Sequence, residues 1–230
     1  MTLYETIFAR RQVRKFQMAP LKPDTLQAIY NIVSDTNQLA GQNARFELAY
    51  IGEMNGGNAP HYLLAYCDHS SAAYANVGFV LQLADLYIQS IGLGSGWFMN
   101  VKPKLNREDF CIALAFGRTD TPLRNGSKDF NRAPVEAISP VNDTISQAVR
   151  LAPSSLNSQP WKLEFQKGSV LVHDAGHGIK RVLLKNKLNK IDVGIAARHA
   201  ALALEYAGNT IKNVIPRNHR GHFWIEISYC

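Results

Sequence analysis

The spacing of apolar and polar positions divides the chain into two similar series of elements. Apolar residues three and four apart predict a short helix over Leu3 to Arg11 and a second from Pro23 to about Ser34. Shorter apolar runs predict strands near Ala44 to Ile51 and Tyr62 to Cys67. A long apolar helix from Ser71 to Ile91 and a strand near Phe110 to Phe116 follow. The order then returns: a helix starting near Asp143, strands near Lys162 to Phe165 and Val170 to His173, a long helix from Asp192 to Ala207, and a strand over His222 to Tyr229. Both long helices are apolar on more than one face, as expected of helices that pack against each other as well as against a sheet.

The recurrence extends to residues. Asn76 begins NVGFVLQLADLYIQSIG and Asp192 begins DVGIAARHAALALEYAG, so Gly78 matches Gly194 and Gly92 matches Gly208 at the same offset. LAGQNARFEL from Leu39 lines up with LNSQPWKLEF from Leu156 one residue further on. A near-constant offset through helix, loop and strand indicates two related halves, residues 1–133 and 134–230, joined through the polar crossover Gly117 to Pro134. The expected class is α+β, with mixed or antiparallel sheets packed on central helices and the two halves forming an intramolecular pseudo-dimer.

Charge and cysteine content narrow the picture. A net charge of +7 calls for an anionic partner. Basic residues are not interleaved with exposed aromatics, so nucleic acid is not expected, and no apolar run is long enough for a membrane span or a secretion signal. A cytoplasmic location follows. The densest basic run, Ile179 to Lys190, has apolar residues at helical spacing and reads as a solvated helix face. Cys67, Cys111 and Cys230 read as reduced packing residues. The pairs His173/His177 and His219/His222 lack evident further ligands, so no metal is expected, and His199 reads as a bonded interior or rim residue.

One stretch resists a purely structural account. RLAPSSLNSQPW, Arg150 to Trp161, places three serines, an asparagine and a glutamine between two prolines that stop any helix. Its counterpart in the first half, Thr36 to Ala44, has lost the prolines, the paired serines and the tryptophan. A turn needed for folding is needed twice, whereas a ligand loop persists only where the ligand is.

Four segments resemble the nitroreductase family of FMN flavoproteins, in particular its short members with two subunits joined in one chain. They are FARRQVRKF from Phe8, IGLGSGWF from Ile91, NRAPVEAI from Asn131, and APSSLNSQPW from Ala152, the most specific of the four. The resemblance implies FMN as cofactor. Its phosphate would be held by the amino-terminal stretch Arg10, Arg11, Gln12 and Arg14, together with Arg132 and the nearby Lys128. Arg10 and Arg14 would share a face if the helix continued, and a tight turn would also bring them together. Gln12 stands where the family usually has serine.

By the same resemblance, the ring would lie against a glycine-rich turn, Ser95, Gly96, Trp97, Phe98 and Met99, with a backbone N–H from Trp97 to Met99 aimed at the reactive ring nitrogen. Pro153, Ser154, Ser155 and Asn157 would reach across from the other half. The reciprocal site lacks both its arginines and its loop, so one FMN per chain is expected. The implied activity is an FMN-dependent NAD(P)H oxidoreductase working by alternating hydride transfer to a nitroaromatic, quinone or similar acceptor, with no catalytic side chain, in a monomeric fused dimer. The competing expectation is a non-catalytic FMN storage or sensor protein.

Overall fold

The computed structural model describes residues 1–175 and 187–230. Two four-stranded antiparallel sheets lie on either side of a pair of central helices. The first half contributes α1 (Leu3–Ile7), α2 (Pro23–Ser34), β1 (Arg45–Tyr50), β2 (Met54–Asn55), β3 (His61–Tyr66), α3 (Ser71–Ser90), β4 (Gly94–Phe98), β5 (Lys102–Pro103) and β6 (Phe110–Gly117). The second contributes α4 (Thr144–Arg150), β7 (Trp161–Gln166), β8 (Ser169–Asp174), α5 (Leu188–Tyr206), β9 (Ile211–His219) and β10 (His222–Tyr229). Strand order is β1-β3-β6-β4 in one sheet and β7-β8-β10-β9 in the other, with β2 and β5 forming a small ribbon. Each large sheet therefore has two strands before its long helix and two after it, and the later pair enters in the same order, edge strand first.

Sequence pattern explains how each sheet is covered. β3 is buried at all six positions and β6 at all but its first, because apolar residues fill both faces of the first sheet. One face packs on α3. The other, with Tyr62, Leu64, Ala113 and Ala115, packs under Met54, Ala59 and Val101. β10 alternates instead, burying Phe223, Ile225 and Ile227 toward the main core. α3 packs along α5, α1 and α2 flank α3, and α4 lies on α5.

The two central helices touch backbone to backbone. A methyl group on Gly78 would fall on the carbonyl oxygen of Ile191, and one on Gly194 would fall on that of Ala75. Each contact is the other's counterpart when positions are matched at the Gly78-to-Gly194 offset. Only glycine permits so close a crossing.

The structure departs from the sequence expectations at four places. The first helix stops at Ile7, and from Arg10 to Phe16 the chain carries no helix, so Arg10 and Arg14 do not share a helical face. Thr2 and Glu5 close a capping box at the start of α1, and Phe8 caps its other end. The glycine-rich segment after α3 is the edge strand β4, not a turn. β9, unread in the sequence, occupies the matching edge of the second sheet, where Pro216 is tolerated. α5 starts at Leu188, before Asp192. His177 and Ile179 to Asn186, most of the dense basic run, lie outside the described residues.

Candidate functional site

α3 carries a polar stripe inside the core. Gln82, Asp85 and Gln89 are three and four residues apart and so share one face of a helix whose lone charged residue is Asp85. Arg10, 1% exposed, donates from Nε to Asp85 Oδ2 at 2.8 Å. Ser95 Oγ donates to Asp85 Oδ1 at 2.6 Å, and Gln89 Nε2 donates to both Asp85 Oδ1 and Ser95 Oγ. Gln82 Nε2 donates to Asp85 Oδ2 and to His199 Nε2, while the Nδ1–H of His199 donates to the Ala148 carbonyl at 2.8 Å. Burial, then the charges of Arg10 and Arg132, hold His199 down at about 3, so it is neutral.

Around this core gather more guanidiniums than acids. Arg124 donates to the Arg10 carbonyl and stacks 4.2 Å over Phe130. Arg132 lies 5.7 Å from the same ring. Burial, followed by Arg10, Arg124 and Arg150, pulls Arg132 down to about 10. Burial and the charges of Arg10 and Arg11 also lower Arg124. Arg10 Nη2 is buried and has no hydrogen-bond partner among the described residues. Clustered cations of this kind call for a multiply charged anion.

The proline-serine loop joins this cluster through Arg132. Its Nη1 donates to Asn157 Oδ1 at 2.6 Å, and its Nε donates to the Ala152 carbonyl at 3.1 Å. Gln159 completes the clasp, with Oε1 accepting from the Ala133 N–H at 2.8 Å and Nε2 donating to the Asn157 carbonyl. Ser154 Oγ accepts from the Gln159 N–H. Leu156, Asn157 and Gln159 all take left-handed backbone angles, with φ of 53°, 53° and 48°. Three such residues within four positions store strain that these bonds must hold, a pattern found at ligand clamps.

At its base the loop is tied to α5. The Ser155 N–H and hydroxyl both donate to Asp192, which is 2% exposed and pushed up to about 8, chiefly by burial. The first half keeps this tie, since Asn76 Oδ1 accepts from the Leu39 N–H at 2.9 Å. The anchor is therefore common to both loops, and the Arg132 clasp belongs to the second alone.

The remaining sequence candidates are dispersed. Gln12 bonds both backbone groups of Trp97, accepting from its N–H at 3.1 Å and donating to its carbonyl at 2.9 Å. The Trp97 N–H is thus engaged by Gln12. Ser95 is fully buried in the Asp85 network, and Gly96 makes room for the Val13 carbonyl. Phe98 is half-buried and Met99 exposed. Arg11 lines a cavity of about 240 Å³ with Gln89, Gly94 and Thr119, and its N–H donates to Gln89. Arg14 and Lys128 are exposed, and Pro153 is buried. His173 bonds Glu164, and His219 faces His222 across the β9–β10 hairpin.

Asp85, Arg124 and Arg150 were not among the site residues read from the sequence, and Gln159 was noted only as part of the loop. The signal for Asp85 was present as a single acid in twenty otherwise uncharged helical residues. Nothing local marks Arg124 or Arg150, which reach the cluster through tertiary packing.

Fold and site define an α+β protein of paired antiparallel sheets, with a buried arginine cluster clasped to a strained polar loop. A family profile described as "Putative TM nitroreductase" matches residues 2–204, and the chain belongs to this nitroreductase family, a family of oxidoreductases. A Thermotoga maritima protein crystallised under a matching description superposes with a TM-score of 0.72 at 20% identity, covering 99% of this chain and 94% of its own. A nitroreductase family protein from Clostridium difficile covers 62% of this chain and 100% of its own, at 15% identity and a TM-score of 0.50. A Desulfitobacterium hafniense nitroreductase with bound FMN covers 58% of this chain at 13% identity, with a TM-score of 0.42, a likeness too slight to bear on ligands here. No curated protein matches the sequence. Among the described residues no helix is long and apolar enough to cross a membrane.

Proposed function

We propose that the chain is an FMN-dependent NAD(P)H oxidoreductase built as a fused pseudo-dimer of residues 1–133 and 134–230, holding one FMN per chain and acting as a monomer. The observation that carries this reading is the bond from Arg132, in the first half, to Asn157 in the loop of the second. It joins the cationic cluster to the strained loop across the two halves. The donor set fits the group: a phosphate monoester carries close to two negative charges near neutral pH. Arg10, Arg124, Arg132 and Arg150 supply four positive charges, of which Asp85 offsets one through Arg10, while Asp129 acts on Arg124. Arg132 and Arg124 would hold the phosphate, Arg10 Nη2 would reach it from beneath, and Ser154 and Asn157 would approach the ribityl chain and ring edge.

Bound FMN would accept hydride from NAD(P)H and pass it to an electron-poor acceptor such as a nitroaromatic or quinone. The protein's own part is to neutralise the phosphate, fix the loop and keep β4 rigid through Gln12. The Trp97 backbone N–H is engaged by Gln12 and Phe98 pairs with Ala113 in the β6 ladder, which leaves Met99 for that contact. The shared strand order, the reciprocal glycine crossing and the matching loop anchors support the pseudo-dimer. Single occupancy is supported by the first-half loop, where the Ala40 N–H donates directly to the Val214 carbonyl on β9 at 3.0 Å, closing loop onto strand.

Anaerobic titration tests the assignment. The purified chain should carry bound flavin absorption and bleach on addition of NADH or NADPH. Bound flavin that neither nucleotide reduces would make the chain a flavin binder, and a colourless chain that takes up no added FMN would remove the cofactor from the reading.

A further inference from the structure

Far from the arginine cluster, two thiols lie together. Ala65 pairs with Ile112 and Tyr66 with Phe110, so Cys111 is the extra residue of a bulge in β6 and has no partner across the ladder. The Cys67 N–H donates to the Asp109 carbonyl at 3.0 Å, carrying the pairing one residue past Tyr66. Both cysteines face the core shared with α3, whereas Tyr66 faces the opposite core. Neighbouring strands are about 4.8 Å apart, and the bulge turns Cys111 toward its diagonal neighbour Cys67. Both are buried and reduced, while Cys230 is exposed.

The surroundings favour one thiolate over the other. The neighbouring Cys111 lowers Cys67 while Cys67 and burial raise Cys111; the Lys187 ammonium lowers both, and burial, Asp68 and Asp109 work against the lowering of Cys67. The Lys187 Nζ lies 5.6 Å from the Tyr74 ring, on the first turns of α3. The pair shares a resolving thiol and a nearby cation with peroxide-sensitive cysteines and differs from them in its burial, at 6% and 4% exposed.

The geometry points to Cys67 and Cys111 as a dithiol that hydrogen peroxide oxidises to an intramolecular disulfide. The Cys67 thiolate attacks one peroxide oxygen, the O–O bond breaks, and hydroxide leaves, giving a sulfenic acid at Cys67. The Cys111 sulfur then attacks Cys67, the S–O bond breaks, and the thiol proton leaves with the hydroxyl as water. In total two thiols lose two electrons and one peroxide becomes two waters.

This site does not depend on the flavin reading. The test uses the full-length chain with Cys230 blocked by alkylation under native conditions, followed by hydrogen peroxide, then alkylation in denaturant and peptide mass spectrometry. The expected result is a Cys67–Cys111 cross-linked peptide, lighter by two hydrogen atoms than the separate thiol peptides and released by dithiothreitol. In a Cys111→Ser chain, Cys67 should instead accumulate a dimedone-reactive sulfenic acid. Full alkylation of Cys67 and Cys111 after peroxide, or over-oxidation of either without a cross-link, would overturn the proposal on wild-type protein alone.

Discussion

At the scale of single residues, the two arginines that matter most should behave differently when removed. Arg132 lies at the edge of the cluster and bonds the loop. Arg132→Ala should therefore weaken FMN binding roughly 10- to 150-fold, the effect of losing a charge-assisted contact of about 1.5–3 kcal/mol. Flavin fluorescence titration reads this directly, and Lys128→Ala, at an exposed site, should leave affinity unchanged. Arg10 is the buried counter-ion of Asp85, so Arg10→Ala should cost about 3–5 kcal/mol of folding stability by stranding a buried carboxylate. A normal urea midpoint for Arg10→Ala would refute the buried pair.

Two buried groups give the protein opposing pH dependences. Asp192 is raised, so between the ordinary carboxylate range and about pH 8 the folded chain keeps a proton that the unfolded chain releases, and stability falls as pH rises. His199 is lowered, so between pH 6.5 and about 3 the unfolded chain takes up a proton that the folded chain refuses, and stability rises with pH. The two slopes oppose each other in mildly acidic solution, and from neutrality to about pH 8 Asp192 acts alone. Asn76 shows that an amide accepts the loop N–H as well as a carboxylate does. Asp192→Asn should thus keep the fold, remove the decline in melting temperature between pH 6.5 and 8, and steepen the loss in acid. Parallel melting curves for wild type and variant across this range would contradict the assignment.

At the scale of elements, the helix crossing is the most demanding contact. Gly78 and Gly194 each face a carbonyl oxygen on the opposing helix, and backbone cannot yield as a flexible side chain can. Either glycine→alanine change should cost about 2–3 kcal/mol, measurable by chemical denaturation, whereas Gly41→Ala should show only the smaller penalty of its positive φ, since a methyl group there meets open space. The elements that sequence pattern revealed were those whose burial repeats regularly. α2 and β10 match their predicted limits, and α3 ends one residue short of its own, because their apolar spacing follows the helix or strand period.

β4 and β9 were missed for a shared reason. Edge strands need only one ladder partner, so β4 is built from glycines and β9 admits Pro216 and charged residues, none of which reads as a strand. The loop stood out in the sequence because its composition contrasts with its first-half counterpart, and the structure gives it strained backbone and the Arg132 clasp. Its clasp was only partly legible: Arg132 was marked by motif, but Arg124 and Arg150 reach the site through packing between segments far apart in sequence.

At the scale of the whole molecule, the proposed pseudo-dimer would be asymmetric. Each half supplies a long helix, a four-stranded sheet and a loop tied to its helix by one backbone N–H. The first half adds α1, the extended stretch that carries Arg10, and Arg132; nothing equivalent precedes α4 to serve the first-half loop. On that side the Ala40 N–H bonds the Val214 carbonyl and joins loop to strand. On the other, the Arg132 clasp holds the loop in a strained conformation that a mere connection would not need. Flavin released by denaturation should therefore equal one FMN per polypeptide at saturation, with sedimentation giving the mass of one chain. A ratio of two would mean that the first-half loop opens to admit a second ring, and a ratio of one-half in a two-chain particle would mean that the site is completed between chains, which would replace the fused-dimer reading with an ordinary one.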